Sequence, residues 1–457
     1  MARKKANVES REEVERRITE EFLACIWKSP TAYQAAAYFA GELEEAGFTE
    51  LREQDEWKLE AGGAYFVRRS DSALIAFRVP AKAVDSVHIA AAHLDSPLLK
   101  IKGEQPELTE KGYYKKLNVE VYGGVLLNPW FDRPLSVAGR LVVRDEKAPE
   151  GIRTLLVDVD RDLLLIPSVC IHMDREANKG KELNPQVDVL PLLAEDAPQA
   201  AAGADQAAPK SLLLGIVAEK AGVKAEDILG HDLYVYNRAP GSIWGAHDEF
   251  FSCPRIDDMQ CAFAACRGLI AAGTGKKKNG VLAIAALFDN EEIGSETKQG
   301  ADSTFLTQVM KRIRSELKMG EQQLMTAIAR GFMISADNAH ALHPNHPELH
   351  DPVNRPRMNG GPVVKFAANM SYASDAVSGA LFKELCKAVD VPYQEFYNRS
   401  DKRGGGTLGG ISNTHVSIRT VDIGLPQLAM HSPYETAGVK DTEYLIRVLT
   451  RFFGSEL

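Results

Sequence analysis

The feature that most constrains the fold of this chain is an uninterrupted apolar run followed directly by four polar residues. Val281–Phe288 has the length and composition of a buried strand. The tetrad Asp289-Asn290-Glu291-Glu292 follows at once, and its three acids cannot continue that strand into a core. In open α/β sheets, ligand sites lie where the strands end. Neighbouring acids repel each other unless a cation or shared protons compensate, so a metal site is the first hypothesis for the tetrad; a solvated loop entering a helix explains these four residues equally well.

Composition restricts the class of protein. A chain of 457 residues predicts two domains, and 45% apolar with 26% charged residues is typical of a globular protein. The net charge of −9 argues against nucleic acid and against an anionic membrane surface as partners. The first apolar run, Phe22–Trp27, is too short for a signal peptide or a membrane span. The six cysteines form no CxxC pair, so we expect reduced thiols and a cytoplasmic location.

The order of apolar patterns predicts an α/β fold with an insertion. Strand-like and helical runs alternate at both ends of the chain, which favours a mostly parallel sheet flanked by helices. The middle of the chain contains only short strand patterns bounded by Pro, Gly or Asp. We therefore predict a catalytic α/β domain in two parts, residues 1–98 and 244–457, with a β-rich domain inserted at residues 99–243.

Three local patterns predict one helix and two loops. Ser29-Pro30 is typical of a helix start, and Gly47 of the end of that helix. Residues 191–209, rich in Ala, Pro, Asp and Gln, predict a mobile surface loop. The glycines of residues 404–410 lack the Gly-Lys-Ser/Thr of a phosphate loop, so we predict a flexible loop near a substrate.

Metal-type side chains recur at the ends of the apolar runs. They are His93, Asp257, Glu292, Asp337 and His431. Two histidines and three carboxylates suit zinc, with cobalt or manganese as substitutes. Each position has an ordinary alternative, because Asp257 could cap a helix and His431 could be a hydrogen-bonded polar residue. Five such positions in one chain nevertheless indicate one site, since the ends of parallel strands meet at one edge of a sheet.

Several stretches resemble one family in the family's order along nearly the whole chain. They are Ala92–Pro97, Trp130–Arg133, Ile171–Met173, Pro254–Asp258, Asp289–Gly294, Ser335–His340 and Pro426–Ser432. On these residues the chain resembles the aspartyl aminopeptidase family of zinc exopeptidases, which includes the vacuolar aminopeptidase I type. The resemblance implies the zinc exopeptidase fold and two zinc ions per subunit. Its expected activity is hydrolysis of the N-terminal peptide bond of peptides, with preference for Asp or Glu.

The resemblance also implies a role for each site residue. His93, Asp257 and Asp337 would bind one metal, and Asp257, Glu292 and His431 the other, with Asp257 as the bridge. Asp95 would orient the imidazole of His93, and Glu291 would be the general base, a division that suits adjacent glutamates.

Substrate recognition and assembly are implied in the same way. Lys365, Tyr372 and His340 would contact the substrate, and a lysine suits an acidic side chain. His172 would reach a neighbouring subunit's active site within a homo-oligomer, a dodecamer of dimers. His340, His343, His346 and His350 have near-helical spacing, but Pro344 and Pro347 break any helix, which argues against a separate histidine metal site.

Two departures from the family pattern leave alternatives open. Residues 433–435 and the start of the 404–410 stretch both differ from it. Both lie near the expected substrate position, so a broad or leucine-preferring metalloaminopeptidase is the main alternative. A noncatalytic assembly protein that keeps the fold is the other, although retention of Glu291 argues against it.

Overall fold

The computed structural model describes residues 9–196, 211–273, 280–402 and 404–454. The helices within these residues are α1 (Arg11–Lys28), α2 (Ala32–Glu45), α3 (Leu212–Ala221), α4 (Ile256–Ala272), α5 (Phe305–Glu316), α6 (Glu321–Ala329), α7 (Ala376–Ala388), α8 (Leu408–His415) and α9 (Asp441–Phe453). The first strands are β1 (Thr49–Leu51), β2 (Ala64–Arg69), β3 (Ala73–Arg78), β4 (Ser86–His93), β5 (Leu98–Ile101), β6 (Glu107–Glu110), β7 (Tyr114–Leu117), β8 (Val119–Tyr122), β9 (Leu135–Arg144), β10 (Ile152–Asp158) and β11 (Leu192–Glu195). The remaining strands are β12 (Ile228–Asn237), β13 (Ser242–Trp244), β14 (Phe250–Cys253), β15 (Val281–Phe288), β16 (Phe332–Ala336), β17 (Ala339–His340), β18 (Val363–Phe366), β19 (Gln394–Tyr397), β20 (Thr420–Gly424), β21 (Pro426–Leu428) and β22 (Glu435–Gly438).

The central sheet has the strand order β1-β2-β3-β15-β4-β16-β20-β18-β19. The middle of this sheet, β15-β4-β16-β20, is parallel throughout. The predicted buried strand is β15 itself, and each of its side chains is buried. The prediction of an α/β fold with a mostly parallel sheet is therefore confirmed.

Helices cover both faces of this sheet. Along β15, Ala283, Ala285 and Leu287 pack into a cluster with side chains of α1, α2, α4, α7 and α9. The alternate residues Ile284 and Ala286 pack on the other face with side chains of α5, α6 and α8. Alternation of side chains along a strand explains why an all-apolar run was needed here, because both faces are buried.

The middle of the chain forms sheets of its own. One has the order β10-β9-β12-β5-β8, and a smaller one has the order β11-β7-β6. Their apolar side chains share one hydrophobic cluster that runs from Leu98 to Tyr236. We call residues 98–237 the inserted segment. The predicted domain boundaries at residues 98/99 and 243/244 stay predictions.

Three local expectations were wrong in part. The helix predicted from Pro30 begins at Ala32, because Ser29 instead follows the last turn of α1 as its cap; Gly47 does follow the end of α2, with φ +82°. Of the predicted 191–209 loop, Leu192–Glu195 is strand β11, paired with β7, and residues 197–209 lie outside the described residues. The 404–410 stretch is not all loop, since α8 begins at Leu408. Among the described helices, none is long and apolar enough to cross a bilayer.

Candidate functional site

Neighbouring strands of the central sheet bring the first site residues together. His93 is the last residue of β4, and Asp337 directly follows β16. Glu291 and Glu292 lie in a 3-10 turn just beyond β15. The three strands are adjacent and parallel in the order β15-β4-β16, so their ends meet at one edge, as the sequence predicted.

Asp257 and His431 reach the same place by other routes. Asp257 lies at the start of α4, where its φ of −81° and ψ of 114° depart from helical values. His431 follows β21, which belongs to a second sheet of order β13-β14-β22-β21-β17 and not to the central one. The expectation that a central-sheet strand would deliver His431 was therefore wrong, although the residue arrives at the same edge.

Ligand atoms of these residues converge. One nitrogen or oxygen from each of His93, Asp257 and Asp337 lies within 4.8 Å of the others, and the same holds for Asp257, Glu292 and His431. Asp257 belongs to both groups: its Oδ1 lies 3.5 Å from His93 Nε2 and its Oδ2 lies 3.5 Å from His431 Nε2. Glu292 Oε2 lies 3.4 Å from the same His431 nitrogen.

These separations fit zinc. Ligand atoms bound at about 2.0–2.2 Å in a tetrahedral arrangement stand about 3.3–3.6 Å apart. The measured histidine-to-carboxylate separations fall in that interval. In addition, Asp257 Oδ1 and Glu292 Oε1 are buried, and neither has a hydrogen-bond partner among the described residues. Buried carboxylate oxygens without donors are costly unless a cation compensates them, so the donor set fits a pair of divalent ions.

The electrostatics of the cluster agree with this fit. Burial raises the pKa of Glu291 to about 8 and that of Asp337 to about 6; neighbouring acids add to both shifts, whereas His93 opposes both. Burial together with the charge of Asp257 raises the pKa of Glu292 as well. Burial also opposes ionisation of Asp257, but the neighbouring imidazoles of His431 and His93 outweigh it and leave the pKa of Asp257 below the ordinary value. Bound cations would favour the ionised form of every one of these acids.

Asp95 organises the backbone of the tetrad. Its Oδ1 accepts a hydrogen bond from the N–H of Glu291, and its Oδ2 accepts one from the N–H of Glu292, both at 3.1 Å. His93 Nδ1 lies 3.0 Å from the Asp95 carbonyl oxygen and 3.3 Å from its Oδ1. An imidazole that donates from Nδ1 presents the lone pair of Nε2 to a metal.

Sequence reasoning missed a second carboxylate of this kind. Glu435 is buried, and its two oxygens accept the backbone N–H groups of Asp257 at 3.0 Å and His431 at 2.7 Å. Its only sequence signal was an acid at the start of a short strand, β22. The contacts of Tyr122 and Gly124 described below were also missed, because strand periodicity does not reveal which strand end meets the site.

The predicted substrate-binding residues lie beside the cluster. Lys365 is buried, its Nζ donates to the carbonyl oxygen of Asn338 at 2.8 Å, and it lies 3.8 Å from Asp337 Oδ2 and 5.7 Å from the centre of the Tyr372 ring. His340 lines a cavity of about 260 Å³ and packs edge-on against Phe396.

His172 lies apart from these residues in the fold. It occupies an exposed turn of the inserted segment, and it belongs to neither group of converging ligand atoms. Its reach into a neighbouring subunit stays a prediction.

Similar sequences agree on one family. Residues 25–453 match the model of the family described as Aminopeptidase I zinc metalloprotease (M18). A probable M18 family aminopeptidase 2 of Clostridium novyi (strain NT) is 44% identical over 438 residues, which cover 95% of this chain and 98% of that protein. The protein of the same name from Stutzerimonas stutzeri (strain A1501) is 40% identical over 430 residues, covering 93% and 96%.

Solved structures give the same result for the fold. The chain superposes on one from the cryo-EM structure of the Ape4 and Nbr1 complex with a TM-score of 0.92 at 33% identity, covering 96% of this chain and 86% of that one. For the structure of the S. cerevisiae mApe1 dodecamer the TM-score is 0.82 at 29% identity, covering 96% and 97%.

Proposed function

This chain belongs to the aminopeptidase I (M18) family of zinc metalloproteases, and from that premise we propose that it cleaves acidic N-terminal residues from peptides at a two-zinc site. The resemblance read from the sequence is confirmed, as is metal-dependent aminopeptidase as the class of enzyme. The number of ions, the base, the substrate preference and the assembly form the proposal.

One observation supports the two-zinc site above the others. Asp257 directs one oxygen to each histidine Nε2, at 3.5 Å in both cases. A carboxylate in this position suits two cations about 3.5–4 Å apart, because each oxygen can bind one of them. His93 and Asp337 would complete one set of ligands, and Glu292 and His431 the other. Cobalt or manganese would substitute, since the donor set is shared by these ions.

Two zinc ions would lower the pKa of a water molecule and polarise the carbonyl of the scissile bond. Glu291 would then take the proton of the attacking water and pass it to the leaving amine. Its Oε2 lies 3.9 Å from His93 Nε2, so it is close to the ligands, and 17% of its side chain is exposed to solvent. Hydrogen bonding of its backbone to Asp95 holds it in place.

Preference for acidic residues is supported by the positive groups near the cluster. Lys365 lies at the cluster itself, with Tyr372 beside it. Lys402 lines the cavity that His340 borders, together with Arg399, which is ion-paired with Asp401, and one acid, Asp351. These positive groups would attract a carboxylate side chain on the substrate. His340 would contact the substrate at the mouth of this cavity.

Oligomerisation is proposed from the relatives. The S. cerevisiae relative is described as a dodecamer, and we propose a dodecamer of dimers for this chain as well. His172 would then act in the neighbouring subunit's site.

Turnover of aspartyl and leucyl p-nitroanilides tests the activity and its preference together. We expect the aspartyl substrate to have a kcat/KM higher by on the order of tenfold or more, because an apolar side chain cannot pair with the positive groups of the site. Treatment with a chelator should abolish both activities, and zinc should restore them. Faster turnover of the leucyl substrate would replace the acidic preference with the leucine-preferring alternative, and activity unaffected by chelation would contradict the zinc mechanism.

A further inference from the structure

The end of β8 brings the inserted segment against the proposed zinc site. Tyr122, Gly123 and Gly124 leave that strand and run beside the site, and we call them the 122–124 segment. Leu126, just beyond it, donates its backbone N–H to the carbonyl oxygen of His431 at 3.2 Å. Tyr122 is the last residue of a strand in the sheet β10-β9-β12-β5-β8, and no proposed ligand lies in or directly after a strand of that sheet. The contacts of the 122–124 segment with the proposed zinc site therefore join the inserted segment to another part of the fold.

Tyr122 supports the His93 side of the site. Its hydroxyl donates to Asp95 Oδ2 at 2.7 Å and accepts from Asn290 Nδ2 at 2.8 Å. The Asn290 side chain is oriented in turn, because its Oδ1 accepts from Thr297 Oγ1 and Gln299 Nε2, both at 2.8 Å. Burial and the nearby Asp95 raise the pKa of Tyr122, so its hydroxyl keeps its proton and donates at any working pH.

Tyr122 thus fixes the Asp95 carboxylate, which contacts three other groups of the site. Asp95 accepts the backbone N–H groups of Glu291 and Glu292 and lies beside His93 Nδ1. A hydrogen bond of 2.7 Å from a phenol to an ionised carboxylate is among the stronger kinds in proteins. Without it, Asp95 could rotate away from the geometry that orients the imidazole.

Gly124 supports the His431 side. Its carbonyl oxygen lies 2.9 Å from His431 Nδ1 and accepts that proton, which leaves Nε2 facing Asp257 and Glu292. A Cβ at Gly124 would lie 3.1 Å from the same nitrogen, so a side chain there would displace the imidazole of His431 by a few tenths of an ångström. At Gly123, with φ +77°, a Cβ would lie 3.0 Å from Glu292 Cβ.

We propose that Tyr122 and Gly124 are positioning residues through which the inserted segment sets the zinc affinity of both metal positions. Tyr122 acts through Asp95 on the position that contains His93, and Gly124 acts on His431 directly. The inference rests on the proposed two-zinc site and adds a consequence to it: the contact between the inserted segment and the catalytic part of the chain is coupled to metal binding.

Tyr122→Phe tests the first contact, because it removes one hydroxyl and retains the ring. The matched control is Tyr236→Phe, which also removes a buried Tyr–Asp hydrogen bond in the inserted segment, to Asp158 at 2.7 Å, without touching a proposed ligand or Asp95. Zinc dissociation constants are measured for full-length protein by competition with a chromophoric chelator. We expect Tyr122→Phe to weaken the binding of zinc by roughly tenfold and Tyr236→Phe to leave it near the wild-type value.

Gly124→Ala tests the second contact and has its own control. Gly230→Ala makes the same change in β12 of the inserted segment, where a Cβ would meet no atom within 4 Å. Urea unfolding of the metal-free proteins establishes that all four variants fold. We expect Gly124→Ala to weaken zinc binding on the order of tenfold, and Gly230→Ala to leave it unchanged.

The outcomes separate this inference from the proposed function. Wild-type protein that binds two zinc ions, with each test variant indistinguishable from its control, would overturn the positioning role and leave the proposed function intact. Wild-type protein without zinc affinity would overturn both. A loss of zinc affinity in the test variants alone supports the inference.

Discussion

Asp257 would set the spacing of the proposed metal pair, because its two carboxylate oxygens face different histidines. The residue could be named from the sequence only as one acid of an Asp-Asp pair, for which a helix cap was the ordinary alternative. Its backbone departs from helical angles at the start of α4, and Glu435 fixes its N–H. Both features depend on residues far away in the chain, so local pattern could not distinguish a bridge from a cap.

The same substitution at Glu291 and at Glu292 tests the proposal that the first is the general base and the second a metal ligand. Glu291→Gln should retain zinc near the wild-type content while kcat falls by about 10²–10⁴-fold, because the amide cannot take the proton of water. Glu292→Gln, the same change one residue on, should instead lose zinc. Elemental analysis and steady-state kinetics measure the two effects. Full activity in Glu291→Gln would show that another group is the base.

His88 makes the free energy of unfolding depend on pH, independently of the catalytic site. It is buried in β4, its ring stacks on Phe452 with centroids 4.7 Å apart, and its Nδ1 donates to the Phe452 carbonyl oxygen at 2.8 Å. Burial lowers its pKa to about 4. On acidification His88 is therefore protonated in the unfolded chain near pH 6.5, before it is protonated in the folded protein. The contribution of neutral His88 to the free energy of unfolding is complete above that pH and is lost as the pH falls towards 4.

The test compares His88→Gln with wild type in metal-free protein. Between pH 7 and pH 5 the wild type should lose about 2 kcal/mol more unfolding free energy than the variant, because glutamine cannot be protonated but can still donate to Phe452. Urea titrations at the two pH values measure the difference. Parallel losses in the two proteins would mean that His88 titrates alike in the folded and unfolded states.

At the scale of elements, the sequence allowed single strands and helices to be predicted, but it did not predict which strands pair with each other. β15 was recognisable because both of its faces are buried, which requires an uninterrupted apolar run. β21 was expected in the central sheet, but it pairs with β17 and β22 in another one. Three residues of strand carry too little pattern to specify a partner, so the route of His431 to the site was missed.

The glycines at the start of α8 illustrate the same limit. Gly409 and Gly410 are both helical, yet a Cβ at Gly409 would lie 2.3 Å from Asp422 Oδ1, whereas at Gly410 the nearest atom is 4.0 Å away. Gly409→Ala should therefore lower the unfolding free energy by about 1–3 kcal/mol through overpacking. Gly410→Ala should raise it by about 0.5–1 kcal/mol, because alanine is the better helix former. In denaturant titrations, a loss of stability in Gly410→Ala would contradict the helical assignment, and equal effects of the two substitutions would contradict the close approach of Gly409 to Asp422.

At the scale of the whole molecule, the inserted segment is fastened to the catalytic part on more than one side. Gln34 of α2 donates to the carbonyl oxygens of Gly139 and Val157, both at 3.0 Å, and Asn237 donates to that of Pro433 at 2.9 Å. With the contacts of Tyr122, these bonds give the insertion a defined position against the proposed zinc site. The sequence predicted an insertion from its strand-rich texture, but not which of its loops would meet the site.

Mixing two inactive variants tests the predicted exchange of residues between subunits. His172→Ala and Glu291→Gln should each be nearly inactive alone, since each lacks one component of every site. In co-expressed mixtures, paired subunits that carry one variant each would contain one complete site. Random pairing should then restore about a quarter of wild-type activity. Activity equal to the sum of the separate variants would mean that His172 does not act across subunits.

Anomalous diffraction at the zinc edge, from crystals of the zinc-loaded enzyme, tests the two-zinc site most directly. The expected result is two peaks about 3.5–4 Å apart, one among His93, Asp257 and Asp337 and the other among Asp257, Glu292 and His431. A single peak, or two peaks of which neither lies beside Asp257, would contradict it.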